Sequence, residues 1–122
     1  MDNSSKEFIK HYLETALWSS CDYREDQDTP LDDNYYIEDI DLDTLKAAIK
    51  DCLSFIAQAE KLELICDEDY STVGHDFWLT RNGHGAGFWD GDYPEHGDKL
   101  TELSESFGGI DLHVTDDNKI AS

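Results

Sequence analysis

The sequence predicts one α+β domain over residues 1–122: two N-terminal helices, a β-hairpin, a third helix and a C-terminal strand forming a small antiparallel sheet. Three observations lead there. Apolar residues recur with helical spacing twice in the first half. The second half changes to alternation around an Asn82-Gly83 pair, the strongest short hairpin signal. No internal repeat and no Pro- or Gly-rich linker divides the 122 residues, a length suited to one domain.

The elements follow in order. Residues 5–18 carry Phe8, Ile9, Tyr12, Leu13, Ala16 and Leu17 on one helical side, with Asn3 or Ser4 as the expected cap. Residues 19–36 read as an acidic loop, with turn signals at Thr29-Pro30-Leu31 and Asp32-Asp33-Asn34. Tyr35-Tyr36-Ile37 reads as a short extended piece. Residues 44–65 form the clearest helix, its stripe running Leu45, Ala48, Ile49, Cys52, Leu53, Ile56, Ala59 and Leu62, with Asp43 as expected N-cap. His75 to Thr80 and Gly85 to Trp89 are the expected hairpin strands, Trp78 and Trp89 facing the same side. Residues 94–107 suit a third helix stopped by Gly108-Gly109. Ile110, Leu112 and Val114 alternate as a strand, and Asp116-Asp117-Asn118 turns the chain toward a short end strand at 119–121.

Composition excludes several classes. The chain has 29 acidic and 9 basic residues, for a net charge of −20. A polyanion of this strength repels phosphate, so direct nucleic-acid binding is not expected. At 39% hydrophobic and 11% aromatic it has the material for a core, which argues against disorder throughout. No apolar run approaches the roughly 20 residues of a membrane helix. The N-terminal residues lack a basic segment followed by an apolar one, so no secretory signal is expected. Cys21, Cys52 and Cys66 are too few and too scattered for a disulfide framework, and a reduced cytoplasmic protein is expected.

Candidate chemistry is sparse. His75, His84, His96 and His113 stand 9, 12 and 17 residues apart, without the short ligand spacing of a zinc site. Asp90-Gly91-Asp92 resembles a fragment of a calcium loop but lacks its closing residues. Gly83-x-Gly85-x-Gly87 lacks the dinucleotide spacing. No nucleophile motif surrounds Ser71, Thr72 or the cysteines. A non-enzymatic protein without metal or cofactor is expected; the alternative is a small metal-dependent hydrolase built on His75, His84 and Asp90.

The charge is the strongest signal. Asp22 to Asp43 hold ten acids against Arg24 alone. Net charge of about 2 to 8 suffices for solubility, and self-repulsion beyond that opposes folding. A basic partner surface offsets that repulsion. Duplex DNA carries one charge per roughly 1.7 Å, so 20 charges match about 34 Å of duplex, close to the width of a domain of this length. The expected partner surface is Asp22, Glu25, Asp26, Asp28, Asp32, Asp33, Glu38, Asp39, Asp41, Asp67, Glu68 and Asp69, with Trp78 and Trp89 as aromatic anchors. The expected partner is a basic nucleic-acid-binding protein, engaged by a monomer or a homodimer.

The segment from Gly74 to Asp90 (GHDFWLTRNGHGAGFWD), with Leu100-x-x-Leu103 and Phe107-Gly108-Gly109-Ile110-Asp111-Leu112 after it, resembles small acidic proteins of bacteriophages and prophages. In size and charge alone, the chain is similar to phage anti-CRISPR and anti-restriction proteins, some of which mimic DNA. The resemblance implies an inhibitor of a host defence protein, acting in the host cytoplasm. An accessory phage protein without a specific partner is the other member of that class.

Overall fold

A computed structural model describes residues 2–22, 29–65, 69–83, 88 and 96–122. The fold is mainly helical: α1 is Asn3–Ser19, α2 Leu42–Lys61, α3 Tyr70–Arg81 and α4 Gly97–Glu105. β1 (Cys21–Asp22) pairs antiparallel with β2 (Thr29–Pro30), Cys21 opposite Pro30. β3 (His113–Val114) pairs antiparallel with β4 (Ile120–Ala121), Val114 opposite Ile120. Single 3-10 turns occupy Leu31–Asp33 and Ile37–Asp39. The expected α+β domain with a central hairpin is therefore corrected to a helix-rich fold, whose strands among the described residues are two residues long.

The correction falls on residues 70–81, where the expected first hairpin strand is a helix. Its buried residues are Val73, Gly74, Asp76, Phe77, Trp78, Leu79, Thr80 and Arg81, which surround the helix axis. A helix buried around most of its circumference, with polar Asp76, Thr80 and Arg81 among the buried residues, shows no 3.6-residue stripe, so periodicity does not reveal it. The Asn82-Gly83 pair ends the helix instead of turning a hairpin. Asn82 is the C-cap, and Gly83 follows at φ +76°, a left-handed conformation that glycine adopts without steric cost. The expected return strand, including Trp89, lies outside the described residues except for Phe88, which is buried.

α1 packs directly on α3. A Cβ on Gly74 would stand 2.2 Å from the Phe8 carbonyl oxygen, so only glycine permits this approach. Around the contact lies an aromatic core. Phe55 stacks on Phe77 with ring centroids 4.2 Å apart, and Tyr12 packs against both Phe77 and Trp78 at 5.4 Å. α2 buries Ala48, Cys52, Phe55, Ile56 and Ala59 here, while Leu53 and Leu62 of the expected stripe are exposed.

Arg81 binds the elements together from inside. Its side chain is 1% exposed. Nη1 donates to the Tyr12 hydroxyl (3.0 Å) and to Asp51 Oδ2 (2.9 Å); Nε and Nη2 donate to the carbonyls of Gly108 (2.8 Å) and Phe107 (3.0 Å). The guanidinium also lies over the Phe77 and Phe107 rings, 5.4 and 5.7 Å from their centroids. α1, α2, α3 and the segment after α4 thus meet at one cation.

Both expected caps move. Asp2, not Asn3 or Ser4, accepts from Ser5 N–H at 2.8 Å to start α1. Asp41, not Asp43, accepts from Thr44 N–H at 2.8 Å to start α2. These bonds hold both carboxyls below the ordinary aspartate value of 3.8. A depressed pKa contributes stability above the unfolded value, and the contribution disappears as pH falls through the lower, folded value. Repulsion among the remaining carboxylates has the opposite sign, because protonation and salt both relieve it. Melting temperature is therefore expected to rise on adding about 0.5 M NaCl at pH 7 and on acidification to about pH 5, then to fall below about pH 3.5 as the caps protonate. Circular dichroism melts across pH and salt check this; a melting temperature that falls with added salt at pH 7 contradicts it.

Candidate functional site: an acidic surface with an aromatic cleft

The acidic residues expected to meet a partner divide by role. Asp32, Asp33 and Glu38 are exposed on the two 3-10 turns. Asp39 accepts from Tyr36 N–H at 2.8 Å, Asp41 caps α2, and Asp69 caps α3 by accepting from Ser71 N–H at 3.0 Å. Their carboxylates thus also hold the termini of these helical turns. Asp22 pairs through its backbone with Thr29. Glu25, Asp26, Asp28, Asp67, Glu68 and Trp89 lie outside the described residues.

Among the described residues, little of this negative charge is neutralised by ion pairs. Among the described residues, Arg81 with Asp51 is the single Lys/Arg–carboxylate ion pair, and that arginine is buried. The exposed Lys6, Lys46, Lys50, Lys61, Lys99 and Lys119 stand beyond ion-pair distance of the described carboxylates. His11 is near Glu7 (3.5 Å) and Glu14 (3.9 Å) on α1.

Trp78 does not supply an aromatic anchor. It is 3% exposed, and its Nε1 donates to Ser19 Oγ at 2.7 Å. Among the described residues the exposed aromatics lie elsewhere: Trp18 at the end of α1 is 46% exposed, and Tyr36 before the second 3-10 turn is 71% exposed. They line a cleft of about 460 Å³ with Lys10, Glu14, Leu17, Asp32, Tyr35, Ile37 and Glu38. Leu17 is buried and forms part of the floor. Trp18 is backed by the His75 ring, centroid to centroid 5.9 Å, and His75 Nδ1 lies 3.0 Å from Asp76 Oδ1. Among the described lining residues, three carboxylates against one ammonium give a negative balance.

The sequence reading missed this cleft, although a signal existed. Lys10, Glu14 and Trp18 are spaced by four, which places them on one helix face beside the buried stripe. A tryptophan on that polar face is the unusual feature.

The hydrolase constellation is not assembled among the described residues. His75 is engaged by Asp76 and Trp18, and His84 and Asp90 lie outside the described residues. No three His, Cys, Asp or Glu side chains among the described residues form a group able to hold a metal ion. Burial, and then the Asp51 charge, push the Cys52 thiol far above its ordinary pKa, which leaves it protonated at neutral pH. No helix among the described residues is long and apolar enough to cross a membrane. Comparison with protein-family models, with curated proteins and with solved structures returns no match to this chain.

Proposed function

We propose that this chain is a non-enzymatic binding protein whose acidic surface seats in the basic nucleic-acid-binding cleft of another protein. In the fuller form it is a phage-encoded inhibitor of the anti-CRISPR or anti-restriction kind, acting stoichiometrically in the host cytoplasm by imitating a nucleic-acid backbone. The observation that supports the reading is the shortage of internal neutralisation. The chain carries −20, and the one Lys/Arg ion pair among the described residues is directed inward. Exposed carboxylates at Asp32, Asp33 and Glu38 have no such compensation from described lysines. A partner lined with lysine and arginine supplies it and gains electrostatic steering on approach.

A charge-reversed variant tests this. Asp32, Asp33 and Glu38 are replaced together by Lys, while Asp39, Asp41 and Asp69 are kept because they cap helical turns. The variant is expected to keep the wild-type circular dichroism spectrum. It is expected to lose on the order of tenfold in affinity for a basic partner at low salt, mainly through slower association. Unchanged affinity in the folded variant removes these carboxylates from the interface.

A further inference from the structure

We infer that the Trp18–Tyr36 cleft receives an arginine side chain of the basic partner. The inference rests on the binding function proposed above and gives it a specific point of contact. Two aromatic side chains, Trp18 and Tyr36, are left at 46% and 71% exposure. Both line one cleft of about 460 Å³ that also carries Glu14, Asp32 and Glu38. The combination is selective. Aromatic faces attract cations, and guanidinium stacks on them with less dehydration cost than ammonium. Carboxylates nearby accept the guanidinium N–H groups in a planar fork, a geometry a lysine cannot match.

The ring that would be stacked upon is already positioned. Trp18 rests against His75, and His75 is held at Asp76 on the largely buried α3. Such backing reduces the ordering cost of binding. Among the described lining residues Lys10 is the one basic side chain, and its ammonium opposes an incoming cation. Removing that charge is therefore expected to tighten binding.

The test titrates the full ¹⁵N-labelled chain with a blocked hexa-arginine peptide at about 0.15 M salt, where the screening length is near 8 Å. The Trp18 indole N–H and the Tyr36 amide are expected to shift. Trp18→Ala and Tyr36→Ala are each expected to weaken binding about two- to fivefold, and both together about tenfold. Trp18→Phe retains most of the affinity, which separates ring stacking from a loss of fold. Lys10→Gln strengthens binding about twofold. Hexa-lysine binds more weakly than hexa-arginine. The assignment is overturned if the peptide fails to bind, if the Trp18 indole does not move on binding, if the double variant keeps wild-type affinity, or if the two peptides bind equally. Binding that maps to carboxylates outside the cleft overturns the arginine site while leaving the acidic-surface reading intact.

Discussion

Arg81→Met is expected to be the most damaging single substitution among the described residues. It removes the donor from the Tyr12 hydroxyl, Asp51 and the carbonyls of Phe107 and Gly108 in one step. Breaking a buried ion pair by deleting one partner costs about 3–5 kcal/mol. Asp51 is 30% exposed, so water recovers part of its solvation, and the expected loss is about 3 kcal/mol. Against a typical domain stability of about 5–15 kcal/mol, that is a large fraction. Arg81→Lys is expected to recover little, because one ammonium cannot span acceptors on opposite edges of a planar fork. Urea denaturation reads both variants as a lowered midpoint at constant slope. A loss below about 1 kcal/mol contradicts the hub assigned to Arg81.

Gly74→Ala is expected to be nearly as severe for a different reason. The new methyl would meet the Phe8 carbonyl oxygen at 2.2 Å and its carbon at 2.9 Å. Both are backbone atoms, so no rotamer change relieves the clash. α1 and α3 must separate, which loosens the Phe8, Tyr12 and Phe77 contacts. Overpacking of this kind costs about 3 kcal/mol. Gly83→Ala is the matched control. Nothing lies within 4 Å of its Cβ position, and only the φ of +76° resists the substitution. The expected cost there is about 1 kcal/mol. Equal losses at the two glycines contradict direct helix contact at Gly74.

The elements that carry Arg81 and Gly74 are unequally legible in the sequence. α1 and α2 were visible because each has one wet face and one dry face, so their apolar residues fall into stripes. α3 is hidden from periodicity because most of its circumference is buried. Its terminus added to the error, since Asn82-Gly83 satisfies the positive-φ requirement of a hairpin and of a helix end alike. The caps were displaced because acidic runs offer several candidates. In Asp39-x-Asp41-x-Asp43, only the position of the first helical turn selects Asp41. The acidic loop was legible as charge but not as geometry. Which carboxylates hold helical turns, as Asp39 and Asp69 do, depends on backbone N–H groups that composition does not reveal. Trp78 is hidden in the core with its helix, while Trp18 lies just beyond a stripe that ends at Leu17.

Capture of partners from bacterial lysate on the immobilised chain tests whether the acidic surface seats in a nucleic-acid-binding cleft. Washing at about 0.3 M salt releases casual charge contacts, since the screening length is then well below the roughly 10 Å found at 0.1 M. Retained protein is challenged with excess duplex DNA or RNA and identified by mass spectrometry. One dominant nucleic-acid-binding protein is expected, released by nucleic acid and not retained by the variant with Lys at 32, 33 and 38. A retained partner indifferent to nucleic acid, or only basic proteins that vanish with salt, contradicts that seating.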